Sequence, residues 1–448
     1  MDQSADRAPA DAGPAIIPRE KHTISRKDID KDTLRVLYRL KDAGYEAYLV
    51  GGAVRDLLMG RKPKDFDVAT DARPRDLRRL FKNSREVGKR FRLVHVFFGP
   101  KNVEVATLRS EAEAQSADGD LYVESDNAWG DLESDAFRRD FTINALYYDI
   151  RDFAVIDYTG GAADIEAGLV RAIGDPMVRF QEDPVRMLRA VKFAARFGYE
   201  IEARTAHAIQ ALHDDILKAN RHRVTEEFFR ILGQANRAAG LRLLQRFGLL
   251  AAIYPDWSRA VGPDGVEQVI EFLDRVDEES EQERYYPIEL IAAGLFLPML
   301  DTVDPGRDQF NKVAAKLTAE MRDLSIRMDL PKKLAGTAIE LLRGQLYLLF
   351  FTHRENRVSR FVESPWFDPV WRLHLLAFGE VEELAPLRAT WLAFRKRLPR
   401  QIGGFSNSPD RRDIFSFRGR TGGGRHDGRN PAPGGDDDGE WQEPEVVE

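Results

Sequence analysis

The chain has 448 residues, 43% of them hydrophobic, with a formal charge of −7 and no cysteine. This excludes disulfide frameworks, thiol catalysis and cysteine zinc sites, and it leaves enough apolar material for two or three domains. No run approaches the roughly 18 apolar residues of a membrane span, and residues 1–22 lack the apolar core of a secretory signal, so the expected location is cytoplasmic.

The charge is unevenly divided. The seven acids of the last thirteen residues account for the whole net charge, while residues 395–429 carry ten Arg or Lys against three Asp. A basic strip therefore sits beside an acidic terminus, and the global value says nothing against a polyanionic partner.

In chain order, residues 1–22 are rich in Ala, Pro and Asp without periodicity and read as a disordered leader. From Ser25, the spacing of Ile29, Leu34, Leu37 and Leu40 predicts a helix with one apolar face. "YEAYLVGGAVRDLLMG" reads as a strand, a glycine turn at Gly51 and Gly52, and a helix ended by Gly60. "KDFDVAT", "RLVHVFFG" and "VEVATL" alternate as strands, with the basic helix "RPRDLRRLFK" among them. "GDLESDA" leads into a predicted helix "RRDFTINALYY", and "FAVIDYTGG" with "GLVRAIGD" reads as a hairpin-like pair. From Asp183 onward nearly everything has helical spacing, until periodicity stops past Gly403 in a Gly- and Arg-rich stretch expected to be disordered. The expected fold class is α+β: a small head with a mixed or antiparallel sheet and helices, then an all-α neck and body. The expected divisions are a leader 1–22, head 23–150, neck 151–235, body 236–402 and tail 403–448.

The chemistry concentrates in the head. In a strand, Asp65 and Asp67 would point to one face and Phe66 to the other, into a core. Two such carboxylates repel unless a cation lies between them, and Mg²⁺ (or Mn²⁺) suits a few carboxylates plus substrate phosphates. A bare Asp-x-Asp is more often a solvated strand; its neighbours change that. Gly51 and Gly52, between an apolar run and a helix, offer backbone N–H groups to a phosphate, with Arg55 one turn on. Glu104 in "VEVATLR" is the candidate third carboxylate, if its strand lies beside the first. Metals held by Asp65, Asp67 and Glu104 would activate an attacking hydroxyl and clamp a leaving pyrophosphate.

The glycine pair followed by "DFD" resembles the nucleotidyltransferase superfamily signature. "RRDFTINALYY" and "QEDPVRMLRAVKFAARFG" resemble, in the same order, the motifs of class II tRNA nucleotidyltransferases and bacterial poly(A) polymerases. The resemblance spans roughly residues 25–257. It implies that Arg139 contacts nucleotide phosphate or sugar, that Asp140 supports the active site, and that Asp183 and Arg186 present a donor and acceptor pattern to the incoming base. It also implies Mg²⁺ as cofactor, ATP as substrate and an RNA 3′ end as partner. Arg186, Arg189, Lys192 and Arg196 fall within an arc of about 120° on the helix that follows Pro184, so that face is basic; a solvated charged face is the plainer reading, and Arg189 is counted with the nucleotide-binding group.

Two activities share these motifs: extending RNA 3′ ends with poly(A), and adding CCA to tRNA. Residues 87–99, "VGKRFRLVHVFFG", resemble the segment that marks bacterial poly(A) polymerases, and Arg interleaved with Phe and Gly past the body suits sequence-tolerant binding of single-stranded RNA. The expectation is a template-independent poly(A) polymerase, with a CCA-adding or A-adding tRNA nucleotidyltransferase as the alternative and an inactive RNA-binding protein of the same fold as a further one. A metal phosphohydrolase built on "LHDD" at 212–215 lacks a second His-Asp set.

Overall fold

The computed structural model describes residues 13–88, 93–110, 129–281, 286–305, 309–351, 355–379 and 381–397. The head is built on an eight-stranded mixed sheet. Its strands are β1 (Ala15–Ile17), β2 (Ala47–Val50), β3 (Asp67–Thr70), β4 (Ser84–Val87), β5 (Leu93–Phe98), β6 (Lys101–Thr107), β7 (Leu146–Tyr148) and β8 (Val155–Asp157), in the spatial order β1-β8-β7-β2-β3-β6-β5-β4. Only β3 and β6 pair in parallel; every other neighbour is antiparallel.

Strand alternation decides what each face does. Leu49, Val68, Val94, Val96, Val103 and Val105 point to one side, where they pack with the apolar faces of α1 (Lys31–Asp42), α2 (Gly52–Leu58) and α3 (Pro74–Leu80). Tyr48, Val50, Ala69 and Tyr147 point to the other, against Leu132 and Ala136 of α4 (Leu132–Phe137). Asp30 caps α1 by accepting from the N–H groups of Asp32 and Thr33 at 3.1 and 3.3 Å, which fixes where the predicted helix starts.

Four expectations change. Residues 15–17, assigned to a disordered leader, form β1 and pair with β8, because a short β-branched run can complete a sheet edge without a periodic pattern of its own. "RRDFTINALYY" is not a helix: α4 ends at Phe137, Thr142–Asn144 form a short 3₁₀ turn, and Leu146–Tyr148 are β7, fully buried between β2 and β8. Adjacent tyrosines and cross-strand pairing outweigh the few residues of helical spacing. β8 pairs with β7, whereas β9 (Leu169–Val170) runs parallel to β10 (Glu200–Ile201), with α5 (Gly161–Ala167) in between, so the anticipated hairpin does not form. The head sheet therefore starts before residue 23 and ends after residue 150.

Beyond the head come α6 (Pro176–Glu182), α7 (Val185–Phe197), α8 (Ala203–Leu212) and α9 (Arg221–Leu232). The body holds α10 (Arg237–Arg246), α11 (Leu249–Ile253), α12 (Pro255–Glu281), α13 (Ile288–Gly294), α14 (Phe310–Arg327), α15 (Lys332–Phe350), α16 (Glu355–Val362), α17 (Phe367–Phe378) and α18 (Ala385–Arg397). α12 breaks at Gly262, whose φ of 70° precedes Pro263. Among the described residues no helix is long and apolar enough to cross a membrane. Residues 1–12 of the leader and the whole 403–448 tail lie outside the described residues.

Candidate active site

The site is one rung of the sheet. Val50 of β2, Asp67 of β3, Glu104 of β6, His95 of β5 and Arg85 of β4 stand opposite one another in register. Neighbouring strands lie about 4.8 Å apart, and parallel pairing puts Asp67 and Glu104 on the same face, away from the α1–α3 side. Phe66 packs against the core on that opposite side, as the alternation predicts, but the strand begins at Asp67, so Asp65 belongs to the approach segment and its side chain is 77% exposed.

Two acids held this closely oppose each other's ionisation. Asp67 still reaches water, yet the surrounding protein removes enough solvation to push its carboxyl up to about 6; Glu104 adds to the rise, Arg139 opposes it and Asp65 adds a smaller part. Burial raises Glu104 as well, with Asp65 contributing. Among the described residues no three acids or imidazoles stand close enough to cage an ion unaided. That donor set fits Mg²⁺, which takes one or two carboxylates and completes its shell with water and substrate phosphates.

At the end of β2, Gly51 donates its N–H to the Leu146 carbonyl at 3.0 Å with φ at 67°. A Cβ there would strain the backbone and lie 3.2 Å from a terminal nitrogen of Arg139, so glycine is what lets this guanidinium sit over the turn. Gly52 opens α2 directly beneath, and a Cβ on it would meet Arg55 at 3.4 Å. Arg139 is held from behind by the Asp135 carboxylate at 3.0 Å, the Tyr147 hydroxyl at 3.1 Å and the Asn144 carbonyl at 3.3 Å. Burial works against its charge, but Tyr147 and Asp135 prevail and keep it firmly protonated.

Arg55 is placed differently from the sequence expectation. It is 3% exposed, bonded to Asp56 at 2.6 Å and Asn144 at 2.5 Å, and lies over the Phe193 and Phe197 rings at 5.3 and 4.6 Å. Its guanidinium joins the head to α7. Asp140 is likewise engaged: it accepts from the Phe141 N–H at 2.9 Å, from Asn144 at 3.0 Å and from Arg189 at 2.5 Å. Burial alone would raise its carboxyl; Arg189 first, then Asn144, bring it down to about 2. Arg55, Asp140 and Arg189 thus brace the site from behind.

The basic face of α7 is not a solvated stripe. Arg186 meets Glu182 at 3.0 Å, Arg189 meets Asp140, Lys192 meets Glu227 of α9 at 2.6 Å, and Arg196 meets Asp56 of the head at 3.3 Å. Asp183 turns the chain into α7, accepting from the Val185 N–H at 3.3 Å, while Pro184 is already helical. Its carboxylate is also gripped by both ends of the Arg223 guanidinium from α9, at 2.8 and 3.1 Å.

Three participants were missed in the sequence. Arg223 lies forty residues from the acid it holds, and a lone arginine on an amphipathic helix carries no local signal. Asp135 anchors both Arg138 and Arg139 and carried none either. His95 sits in a run whose alternation marks a strand, but nothing local places that strand beside Glu104; its Nε2 lies 3.4 Å from Glu104, and Asn102 donates to its Nδ1 at 3.1 Å. The histidines of the 207–222 region gather no metal-binding group among the described residues.

Two family patterns match this chain: the Poly A polymerase head domain over residues 47–171, and a probable RNA and SrmB-binding site of polymerase A over residues 198–261. Poly(A) polymerase I of Salmonella typhi is 38% identical over 429 residues, covering 91% of this chain and 92% of that protein. A CCA-adding enzyme of Lactobacillus helveticus is also 38% identical, but over 216 residues, 47% of this chain and 52% of that one. Among solved structures, a tRNA-processing enzyme in an apo form shares the fold with a TM-score of 0.59 at 23% identity, over 84% of this chain and 94% of its own. Joined to a head whose acids, glycine turn and arginine brace all converge on one rung, identity sustained along more than nine-tenths of a relative settles the lineage: the chain belongs to the bacterial poly(A) polymerase family.

Proposed function

We propose that the protein is a template-independent poly(A) polymerase that adds AMP from ATP to RNA 3′ ends in the cytoplasm. The observation that carries the reading is the register of Asp67 with Glu104, which sets two carboxylates, both raised first by burial, beside the Gly51 turn and Arg139. The terminal 3′ oxygen attacks the α-phosphorus of ATP, the bond from that phosphorus to the bridging oxygen breaks, pyrophosphate leaves and the hydroxyl proton passes to solvent.

Asp65, Asp67 and Glu104 would hold Mg²⁺, or Mn²⁺ in its place, which when bound supplies Lewis acidity at the reacting phosphate and charge neutralisation at the leaving group. The Gly51 and Gly52 turn leaves room for the triphosphate to approach the backbone, and Arg139 faces it with a charge fixed in place by Asp135 and Tyr147. Asp183 accepts from the exocyclic amino group of the base and Arg186 donates to the adjoining ring nitrogen. Arg223 grips that carboxylate with both ends of its guanidinium and so orients it toward the base. Residues 23–150 with their added edge strands act as the catalytic head, 151–235 as the neck that reads the base, and 236–402 as the RNA-binding body.

Support for poly(A) over CCA addition comes from extent: similarity to poly(A) polymerase I runs through the body, whereas similarity to the CCA-adding relative covers about half the chain. The test offers the purified protein each of the four nucleoside triphosphates, with an unstructured RNA and with a tRNA lacking its terminus. Long A-only extension of the first is expected; addition limited to C, C and A on the second would replace the proposal with the tRNA reading.

A further inference from the structure

Two clefts in the body, of about 410 and 330 Å³, share Phe310 and Arg343 and therefore form one groove along α14 and α15 toward the turn between α16 and α17. The groove lies outside both segments matched by the family patterns. Most of its rings are occupied with each other: Phe310 meets Tyr347 edge-on at 5.7 Å, and Tyr347 meets Phe361 at 4.7 Å. Those are core contacts and ask for no ligand.

Trp366 at the rim is different. It is 37% exposed and makes no ring contact among the described residues. Arg322 on one wall and Arg360 on the other make no ion pair among the described residues, while Glu340, the acid lining the groove, is neutralised by Arg343 at 2.9 Å. Ser364 lines the same cleft with a buried hydroxyl that finds no hydrogen-bond partner. A flat ring with an open face and two guanidinium groups without an ion pair among the described residues do not match an apolar peptide, which would leave the arginines stranded. They match a chain of flat bases joined by phosphates.

We propose that the groove between α14, α15 and the α16–α17 turn is a binding site for single-stranded RNA, which stacks a base on Trp366 and lays its phosphates along Arg322 and Arg360. The inference rests on the RNA-extending activity proposed above and adds to it a second place at which the RNA is held. Bases must be unpaired to present their faces, so a duplex of the same length is a poor ligand.

The test measures fluorescence anisotropy of a labelled oligo(A) RNA with the full-length protein, without ATP and with chelator, across a salt series. Trp366→Ala is expected to weaken binding about tenfold, since stacking one base contributes on that scale, with Trp366→Phe restoring most of it. The double change Arg322→Glu, Arg360→Glu is expected to weaken binding by at least as much and to make the dependence on log salt shallower by about 1.4, the contribution of two phosphate contacts to a single strand. Arg35→Glu, an exposed head residue already paired with Asp32, serves as the charge control and should bind as the parent does. Both groove variants binding oligo(A) with the parent's affinity and salt slope would overturn the inference, as would a groove whose variants lose a protein partner while keeping RNA. AMP incorporation by the parent, measured separately, keeps the two proposals apart. A parent that binds oligo(A) through the groove but incorporates no AMP removes the polymerase reading and leaves the site.

Discussion

The brace behind the site makes a quantitative prediction at Arg189. Replacing it with Met keeps most of the aliphatic stem but leaves Asp140, 11% exposed in its side chain, without a cation and deprives Glu227 of a neighbour at 3.8 Å. Arg189 and Asn144 hold the Asp140 carboxyl down to about 2 against an ordinary 3.8, so its ionised form is favoured in the folded protein by about 2 kcal/mol. Removing one partner of a buried pair typically costs about 3–5 kcal/mol, and the lower end applies here because the Phe141 N–H and Asn144 still serve the carboxylate. The sign of the pH dependence follows. A depressed carboxyl contributes stability that is complete above 3.8 and is lost as pH falls through about 2. In Arg189→Met burial is no longer outweighed, so Asp140 rises and protonates earlier. Denaturant midpoints of the parent and variant, followed by far-UV circular dichroism from pH 7 to pH 2, should therefore differ most near neutrality and converge on acidification. The companion Asp140→Asn, Arg189→Met should recover part of the neutral-pH loss. A gap that stayed constant with pH, or a double variant as unstable as the sum of the two singles, would refute the brace.

Asp67→Asn should abolish AMP incorporation while leaving thermal stability unchanged or slightly raised, because it relieves the repulsion from Glu104; scanning calorimetry beside the incorporation assay reads both. His95→Ala should leave Glu104 without its neighbour at 3.4 Å and raise the Mg²⁺ concentration needed for half-maximal activity several-fold, with a parallel weakening of Mn²⁺ binding seen by electron paramagnetic resonance. Gly51→Ala should lower activity by at least tenfold, since a β-carbon at φ 67° both strains the turn and presses on Arg139; unaltered kinetics would show that the turn has slack. In the body, burial pushes the His374 imidazole down to about 4 from 6.5. The unfolded chain therefore takes up this proton first, and stability should fall by up to about 3 kcal/mol as pH drops from 6.5 to 4, a slope that His374→Gln removes.

What the sequence disclosed and what it withheld follow from the range of each interaction. Phe66 and Asp67 could be assigned to opposite faces because alternation is local, and Glu104 could be placed beside Asp67 because its own run alternates in the same way, whereas the same alternation wrongly extended the strand back to Asp65, which precedes it. The strand–glycine–helix passage at Gly51 was equally legible, since a positive φ demands a residue type. β7 was not: its helical spacing came from too few residues, and its conformation is set by β2 and β8, which approach from elsewhere in the chain. The pairing of Leu169 with Glu200 and the grip of Arg223 on Asp183 had no local trace for the same reason. Charge deceived in the opposite direction. A stripe of four cations on α7 looks like a solvated face until the partner acids, Glu182, Asp140, Glu227 and Asp56, are brought to it from four different parts of the chain.

That internal pairing bears on how the site can act. Nearly every cation contributed by α7 is committed to a carboxylate, and Arg55 is sandwiched by the rings of the same helix, so the neck supplies rigidity more than unpaired positive charge. The under-neutralised acids are on the other side, in the sheet rung, where burial first and neighbouring carboxylates second raise Asp67 and Glu104. A site with stiff walls and under-neutralised acids is arranged to gain its cation together with a triphosphate, each making the other's binding more favourable. Titrating Mn²⁺ with and without a non-hydrolysable ATP analogue measures that coupling directly. Affinity for the ion should rise at least tenfold when the analogue is present, and equal affinities would mean that the rung binds its metal alone and that its repulsion has another purpose.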